Sequence, residues 1–132
     1  MLFPFTTSLY ATGFAAIYAA LTAWVVAGRV GFDTLHGDGG VEPLARRIRA
    51  HANFIEYVPF ILLLAALYEG SGGSRGIVHA LLLPLLVARL AHPVGLLAPK
   101  NSPRQYGFRG LAFLVTWLVL IAVALLLLFR VI

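Results

Sequence analysis

The chain has 132 residues, 61% of them hydrophobic and 11% charged, a balance that excludes an ordinary soluble domain and marks an integral membrane protein. Its formal charge of +5 comes from basic residues in short stretches between apolar runs, where positive charge sets membrane orientation, so nucleic acid is set aside as a partner. With no cysteine, neither a disulfide framework nor a thiolate metal site can form, and any thiol chemistry uses a thiol brought by a substrate.

The first apolar segment, near residues 5–28, needs no help to cross a bilayer. Met1 to Gly28 carries no charged side chain, and a spanning helix needs ~20 apolar residues. A cleaved signal peptide fits poorly, because the first basic residue, Arg29, follows the apolar run instead of preceding it. The stretch "RVGFDTLHGDGGVEPLA" reads as a loop: Gly-Asp-Gly-Gly is a turn signal and Glu-Pro suits a helix start. Further spans are expected near residues 44–68, 76–97 and 110–129. Between the second and third, "EGSGGSRG" from Glu69 is Gly-rich and is expected to be flexible. Between the third and fourth, "APKNSPRQYGF" from Ala98 is basic and holds two Pro. The last span is 20 residues without a charge, enough to cross at a rise of about 1.5 Å per residue. The expected fold class is an all-α, four-transmembrane-helix bundle, one domain over residues 1–132.

Orientation follows from the basic residues. Arg29, Arg46, Arg47 and Arg49 belong to the first connection and Lys100, Arg104 and Arg109 to the third, seven in all, against Arg75 and Arg130 on the other side. The positive-inside rule puts the first and third connections in the cytoplasm and both termini outside.

The second span opens with "RRIRAHANFIEYVPFILLL", where polar groups run into apolar residues with no turn between them. At about 100° per residue, Arg46, Arg49, Asn53, Glu56 and Tyr57 fall on one stripe, whereas Arg47 and His51 point elsewhere. Such groups bind helices together or mark function. Here the guanidinium groups outnumber the single carboxylate, which leaves capacity for an anion, and Arg forks with one Glu suit a zwitterion bearing carboxylates and an ammonium. Arg89 lies well inside the third span, where its cost calls for a partner such as Glu56 or a ligand carboxylate, or for snorkelling to the membrane edge. His92, three residues on, shares its face. His79 does not pair with His92 and reads as structural, and a metal site is not expected.

"RAHANFIEYVP", Arg49 to Pro59, resembles the Arg-Ala-x-x-Asn-x-x-Glu-Tyr-x-Pro signature of the MAPEG family, the membrane-associated proteins in eicosanoid and glutathione metabolism. The four-span layout, the Gly-Asp-Gly-Gly before the signature and "ARLAHPVG" on the third span are similar to bacterial members. The resemblance implies a homotrimer with glutathione bound between subunits near the cytoplasmic face of a bacterial inner membrane. It implies that Arg49, Asn53, Glu56 and Tyr57 hold the tripeptide, with Glu56 on its ammonium, that Arg89 and His92 complete the pocket, and that Arg29 lies close to the thiol.

Conjugation needs a thiolate, and a thiol with a pKa of about 8.5 is mostly protonated at neutral pH. A fixed guanidinium favours the anion. In the family this role falls to an Arg at the start of the fourth helix. Arg109 is the preferred candidate because "RGLAFLVTW" opens the span, with Arg104 as the alternative or as a lipid-headgroup contact. Two departures weigh against a specialised eicosanoid activity: Leu96 stands where eicosanoid-making members often have Tyr, and no hydroxyl follows Arg109. The function expected is a glutathione-dependent membrane transferase, with peroxidase activity as an extension, acting on apolar electrophiles from the bilayer. The alternative is a non-catalytic trimeric lipid-binding or scaffold protein of the same fold.

Overall fold

The computed structural model describes residues 2–99 and 101–132. Met1 lies outside the described residues, as does Lys100, one of the seven basic residues in the orientation count. Four long helices run in chain order: α1 (Phe5–Gly31), α2 (Glu42–Gly70), α3 (Arg75–Leu97) and α4 (Leu111–Val131), the last entered through a π-helical turn, Gln105–Gly110. No strand occurs among the described residues. Each helix is long and apolar enough to cross a membrane.

Local chemistry explains where the helices begin and end. The Gly-Asp-Gly-Gly turn closes with the Gly40 N–H donating to Asp38 Oδ1 at 3.0 Å, and Gly37, Gly39 and Gly40 all take positive φ, which glycine adopts without steric cost. Val41 is extended and Glu-Pro then starts α2, with Pro in the first turn where its missing N–H costs nothing. Three boundaries differ from the sequence reading. α1 runs three residues past Gly28, so Arg29, Val30 and Gly31, read as the start of the loop, are helical. The fourth helical segment starts at Gln105 instead of residue 110, so "QYGFRG" is wound and not loop. The connection expected to be flexible is only residues 71–74, because α2 continues through Glu69 to Gly70.

α2 and α3 form the centre, each packing on every other helix, while α1 and α4 flank them and do not meet among the described residues. Phe14, Phe54, Val58, Ile61, Leu82, Leu85 and Val123 fill the shared core. The outward faces are also apolar: Leu63, Leu83, Val87, Leu90, Leu114, Leu118 and Ile121 all stand exposed. Water does not tolerate so continuous an apolar exterior, and hydrocarbon does.

The two ends of the bundle differ. At one end both termini meet the α2–α3 connection: the Leu2 N–H donates to Gly70 O at 2.8 Å and Arg130 Nη2 to Ser71 O at 3.3 Å. At this end Pro4 gives α1 no side-chain cap. Glu69 supplies one from α2: its carboxylate, 3% exposed, accepts from the Thr6 N–H at 2.9 Å, the Thr7 N–H at 2.8 Å and the Thr7 hydroxyl at 2.8 Å. This satisfies first-turn donors that an N-cap residue ordinarily takes, and places a negative charge at the positive end of the helix dipole.

The cap is expected to hold α1 on the bundle. Glu69→Ala leaves buried donors unpaired, at about 1–3 kcal/mol each, and Glu69→Gln, which keeps an acceptor oxygen, loses less. Thermal melting in detergent should therefore rank wild type above Gln and Gln above Ala; equal midpoints for wild type and Ala would contradict the cap.

Candidate functional site

The other end carries the basic residues. There the polar stripe of α2 faces the end of α3 and the π turn across a cavity of about 620 Å³. From α2 come Arg49, Asn53, Glu56 and Tyr57; from α3, His92 and Leu96; from the π turn, Gln105, Tyr106 and Arg109. Spacings of three and four put the α2 groups on one face. On the opposite wall, Gln105, Tyr106, Arg109 and Gly110 recur at the wider pitch of an i→i+5 turn, a winding common at functional sites.

The charges inside are unevenly paired. Arg49 Nη1 lies 3.6 Å from Glu56 Oε1, with both side chains about half exposed. Arg109 lines the same cavity and makes no hydrogen bond or ion pair among the described residues. One carboxylate thus stands against two guanidinium groups, and the surplus is a fixed positive charge open to an anionic guest.

Behind this wall sits Arg89, 2% exposed. Its Nη1 donates to Asn53 Oδ1 at 2.7 Å, its Nη2 to the hydroxyl of Thr116 on α4, and its guanidinium stands 5.8 Å from the centre of the Tyr57 ring. The Glu56 partnership anticipated for Arg89 does not form, since Glu56 turns toward Arg49. Nor does Arg89 snorkel. It does not line the cavity but ties two groups that do, Asn53 and Tyr57, to α3. Thr116 is wholly buried and donates in turn to Ala112 O at 2.7 Å.

Several residues of the sequence reading go elsewhere. Arg46 leaves the stripe's cavity: its Nη1 donates to Leu96 O and Ala98 O, 3.2 Å each, capping the end of α3, and its Nη2 pairs with Glu42 at 2.8 Å. Arg29 donates to Leu35 O at 3.1 Å and Gly37 O at 2.8 Å, which folds the first loop. It lines a second cavity of about 660 Å³ that shares Arg49, Leu96, Gln105 and Arg109 with the first. Arg104 is exposed and lines neither cavity. On the opposite face of α2, Arg47 donates to Trp24 O at 3.1 Å and stacks over Trp24, while His51 bonds Thr22 at 3.0 Å. His79 meets the Tyr10 hydroxyl at 3.1 Å, a contact between helices. Among the described residues no group of three or more His, Asp or Glu is placed to hold a metal.

Sequence reasoning missed Gln105, Tyr106 and Thr116. The first two lay in a stretch read as loop, and a lone hydroxyl in a Leu- and Val-rich run carries no signal of its partner. Thr116→Val deprives a buried guanidinium of an acceptor and is expected to cost about 1–3 kcal/mol, whereas Thr116→Ser keeps the acceptor and loses less. Melting in detergent checks the order, and an unchanged Thr116→Val midpoint would contradict it.

Comparison with known proteins gives one family and one kind of relative. The chain is 31% identical over 118 residues to "Inner membrane protein YecN" of Escherichia coli strain K12, covering 83% of this chain and 86% of that protein. The protein of the same name from E. coli O6:H1 matches with the same figures. No solved structure gives a significant match. The MAPEG family model matches residues 7–129, a range that takes in all of α2, α3 and the π turn and nearly all of α1 and α4. The chain therefore belongs to the MAPEG family.

Proposed function

We propose that this chain is a glutathione-dependent membrane transferase, with peroxidase activity as an extension, that joins the thiol sulfur of glutathione to apolar electrophiles dissolved in the bilayer. The observation that carries the reading is the unpaired Arg109 guanidinium sharing one cavity with the Arg49–Glu56 pair. Family membership supports it.

Each end of the tripeptide has a chemical counterpart. The Arg49 fork suits a carboxylate and the Glu56 carboxylate suits the ammonium, while Asn53, fixed by Arg89, offers its amide N–H groups to a carbonyl or carboxylate. Arg109 stands opposite and meets the sulfur. The field of a guanidinium close to a thiol favours the thiolate electrostatically. Stripped of water by the apolar wall of Leu96 and Phe113, that field acts at lower effective dielectric and is stronger.

The reaction then balances simply. The thiol proton leaves to solvent at the open mouth of the cavity. The sulfur lone pair forms the new S–C bond, and the electrons of the bond it replaces depart with the leaving group, or, for an activated double bond, move to the neighbouring carbon, which takes up a proton. Arg109 does not transfer a proton in this scheme.

The protein works in this proposal as a homotrimer in the inner membrane, with the cavity end in the cytoplasm. The relative's name points to that membrane, and the cavity end holds Arg29, Arg46, Arg47, Arg49, Arg104 and Arg109 against Arg75 and Arg130 at the other, the asymmetry of a cytoplasmic end. A second reading, a non-catalytic lipid-binding or scaffold protein, draws on a groove of about 500 Å³ between α3 and α4, lined by Leu83, Val87, Phe108 and Leu111. An acyl chain suits such a groove.

Calorimetry with glutathione and turnover with an activated aryl halide separate these readings. Arg49→Ala is expected to weaken glutathione binding roughly 10- to 100-fold, the worth of a charged hydrogen bond, whereas Arg109→Ala holds affinity within about threefold at a pH that keeps the bound thiol protonated and loses most of kcat, because its stabilisation is realised on the thiolate. Absence of binding at millimolar glutathione would remove the transferase reading and leave the lipid-binding one.

A further inference from the structure

Gly95 sits in the last turn of α3, one residue before Leu96 of the cavity wall. A methyl group built on it would stand 2.6 Å from the backbone nitrogen of Arg109, 3.0 Å from Phe108 Cβ and 3.1 Å from Arg109 Cβ. The end of α3 therefore touches the π turn backbone to backbone, at the residue whose guanidinium enters the cavity. The need for glycine here is one of space: its φ is not in the left-handed range, unlike that of Gly37 or Gly72.

We propose that Gly95 is a positioning residue for Arg109: the bare Cα lets the π turn seat on α3 at the one depth that holds the Arg109 guanidinium over the thiol. This rests on the reading of Arg109 as the counter-charge of the thiolate.

Neither side of the seam can give way cheaply. On the α3 side, Arg46 pins the carbonyls of Leu96 and Ala98. On the other side the opposing atoms are a backbone nitrogen and two β-carbons, so no rotamer change relieves the overlap. To bring the contact with the Arg109 nitrogen to an ordinary 3.4 Å, the π turn has to retreat by about 0.8 Å, the difference between 3.4 and 2.6 Å. Displacements near 1 Å cost on the order of 100-fold in reactions that depend on placement. Among the α2 groups that would hold the tripeptide, Asn53 bonds Arg89 and Arg49 pairs with Glu56, none with the seam, so binding of the protonated thiol and its activation separate. Gly107, on the same turn, has open space around it and serves as the matched control.

The test uses the full-length, detergent-solubilised protein and reads two quantities on each variant: glutathione affinity by calorimetry, and the ultraviolet absorbance of bound thiolate across a pH series. At a pH low enough to keep the bound thiol protonated, Gly95→Ala is expected to bind glutathione within about threefold of wild type, while its bound thiol titrates close to the free value of about 8.5; Gly107→Ala is expected to match wild type in both. A Gly95→Ala protein that keeps the wild-type thiolate titration overturns the proposal, as does one that folds but loses affinity for the protonated thiol together with the thiolate. If Gly95→Ala does not fold, Phe108→Gly loosens the seam from the other side, and an unchanged thiolate titration in that variant also overturns it. Failure of the underlying reading looks different: wild type itself then shows no thiolate below the free thiol's range.

Discussion

A guanidinium in the middle of a membrane bundle needs hydrogen-bond acceptors, and meeting the need of Arg89 organises the rest of this structure. Its partners come from two other helices, Asn53 on α2 and Thr116 on α4, with the Tyr57 ring beside it. No carboxylate pairs with it and its Nε keeps no partner among the described residues, so these two acceptors bear the whole cost of its burial, and losing either is expected to be expensive. The three helices are therefore fixed at one depth and one rotation, and the Asn53 amide and the Tyr57 ring are thereby set on the wall of the polar cavity. Arg89 itself stays outside the lining of that cavity. What it does is position two groups of the lining, Asn53 and Tyr57.

The two ends of the bundle solve opposite problems. At the end holding the termini, every charge nearby is used to close the structure: Glu69 caps α1 across the bundle, and Arg130 holds the α2–α3 turn. At the basic end the ledger is left open. Arg46 and Arg29 are spent on carbonyls of α3 and of the first loop, while Arg49 and Arg109 face one carboxylate, Glu56, around a cavity, a surplus of one positive charge. A bundle stapled at one end and charged at the other leaves Arg109, which lines the cavity, free of any structural hydrogen bond or ion pair among the described residues.

Much of this was legible in the sequence, for physical reasons that can be named. The four spans announce themselves because hydrocarbon demands about twenty apolar residues in a row, and the stripe from Arg49 to Tyr57 is visible because helical spacing alone puts it on one face. Burial of Arg89 was foreseeable from its depth, but its partners were not: Asn53 and Thr116 are polar residues like many others until tertiary packing brings them together. Arg46 shared the stripe's spacing yet turned to the end of α3, because a long side chain at a helix start can reach free carbonyls that periodicity does not register. Glu69 sat in a Gly-rich stretch whose composition reads as flexible, and its role depends on Thr6 and Thr7, more than sixty positions away. The π turn is the least legible of all. Winding at i→i+5 in place of i→i+4 has no compositional signature, and it decides which face Gln105 and Tyr106 present.

Whether this cavity holds glutathione as its thiolate is read by a pH titration of glutathione carrying ¹³C at the cysteine β-carbon, bound to the wild-type protein and followed by NMR. A bound signal with the thiolate shift at neutral pH, titrating well below the free value of about 8.5, is the predicted result. A signal that titrates like free glutathione, or no bound signal at saturating concentration, would contradict it.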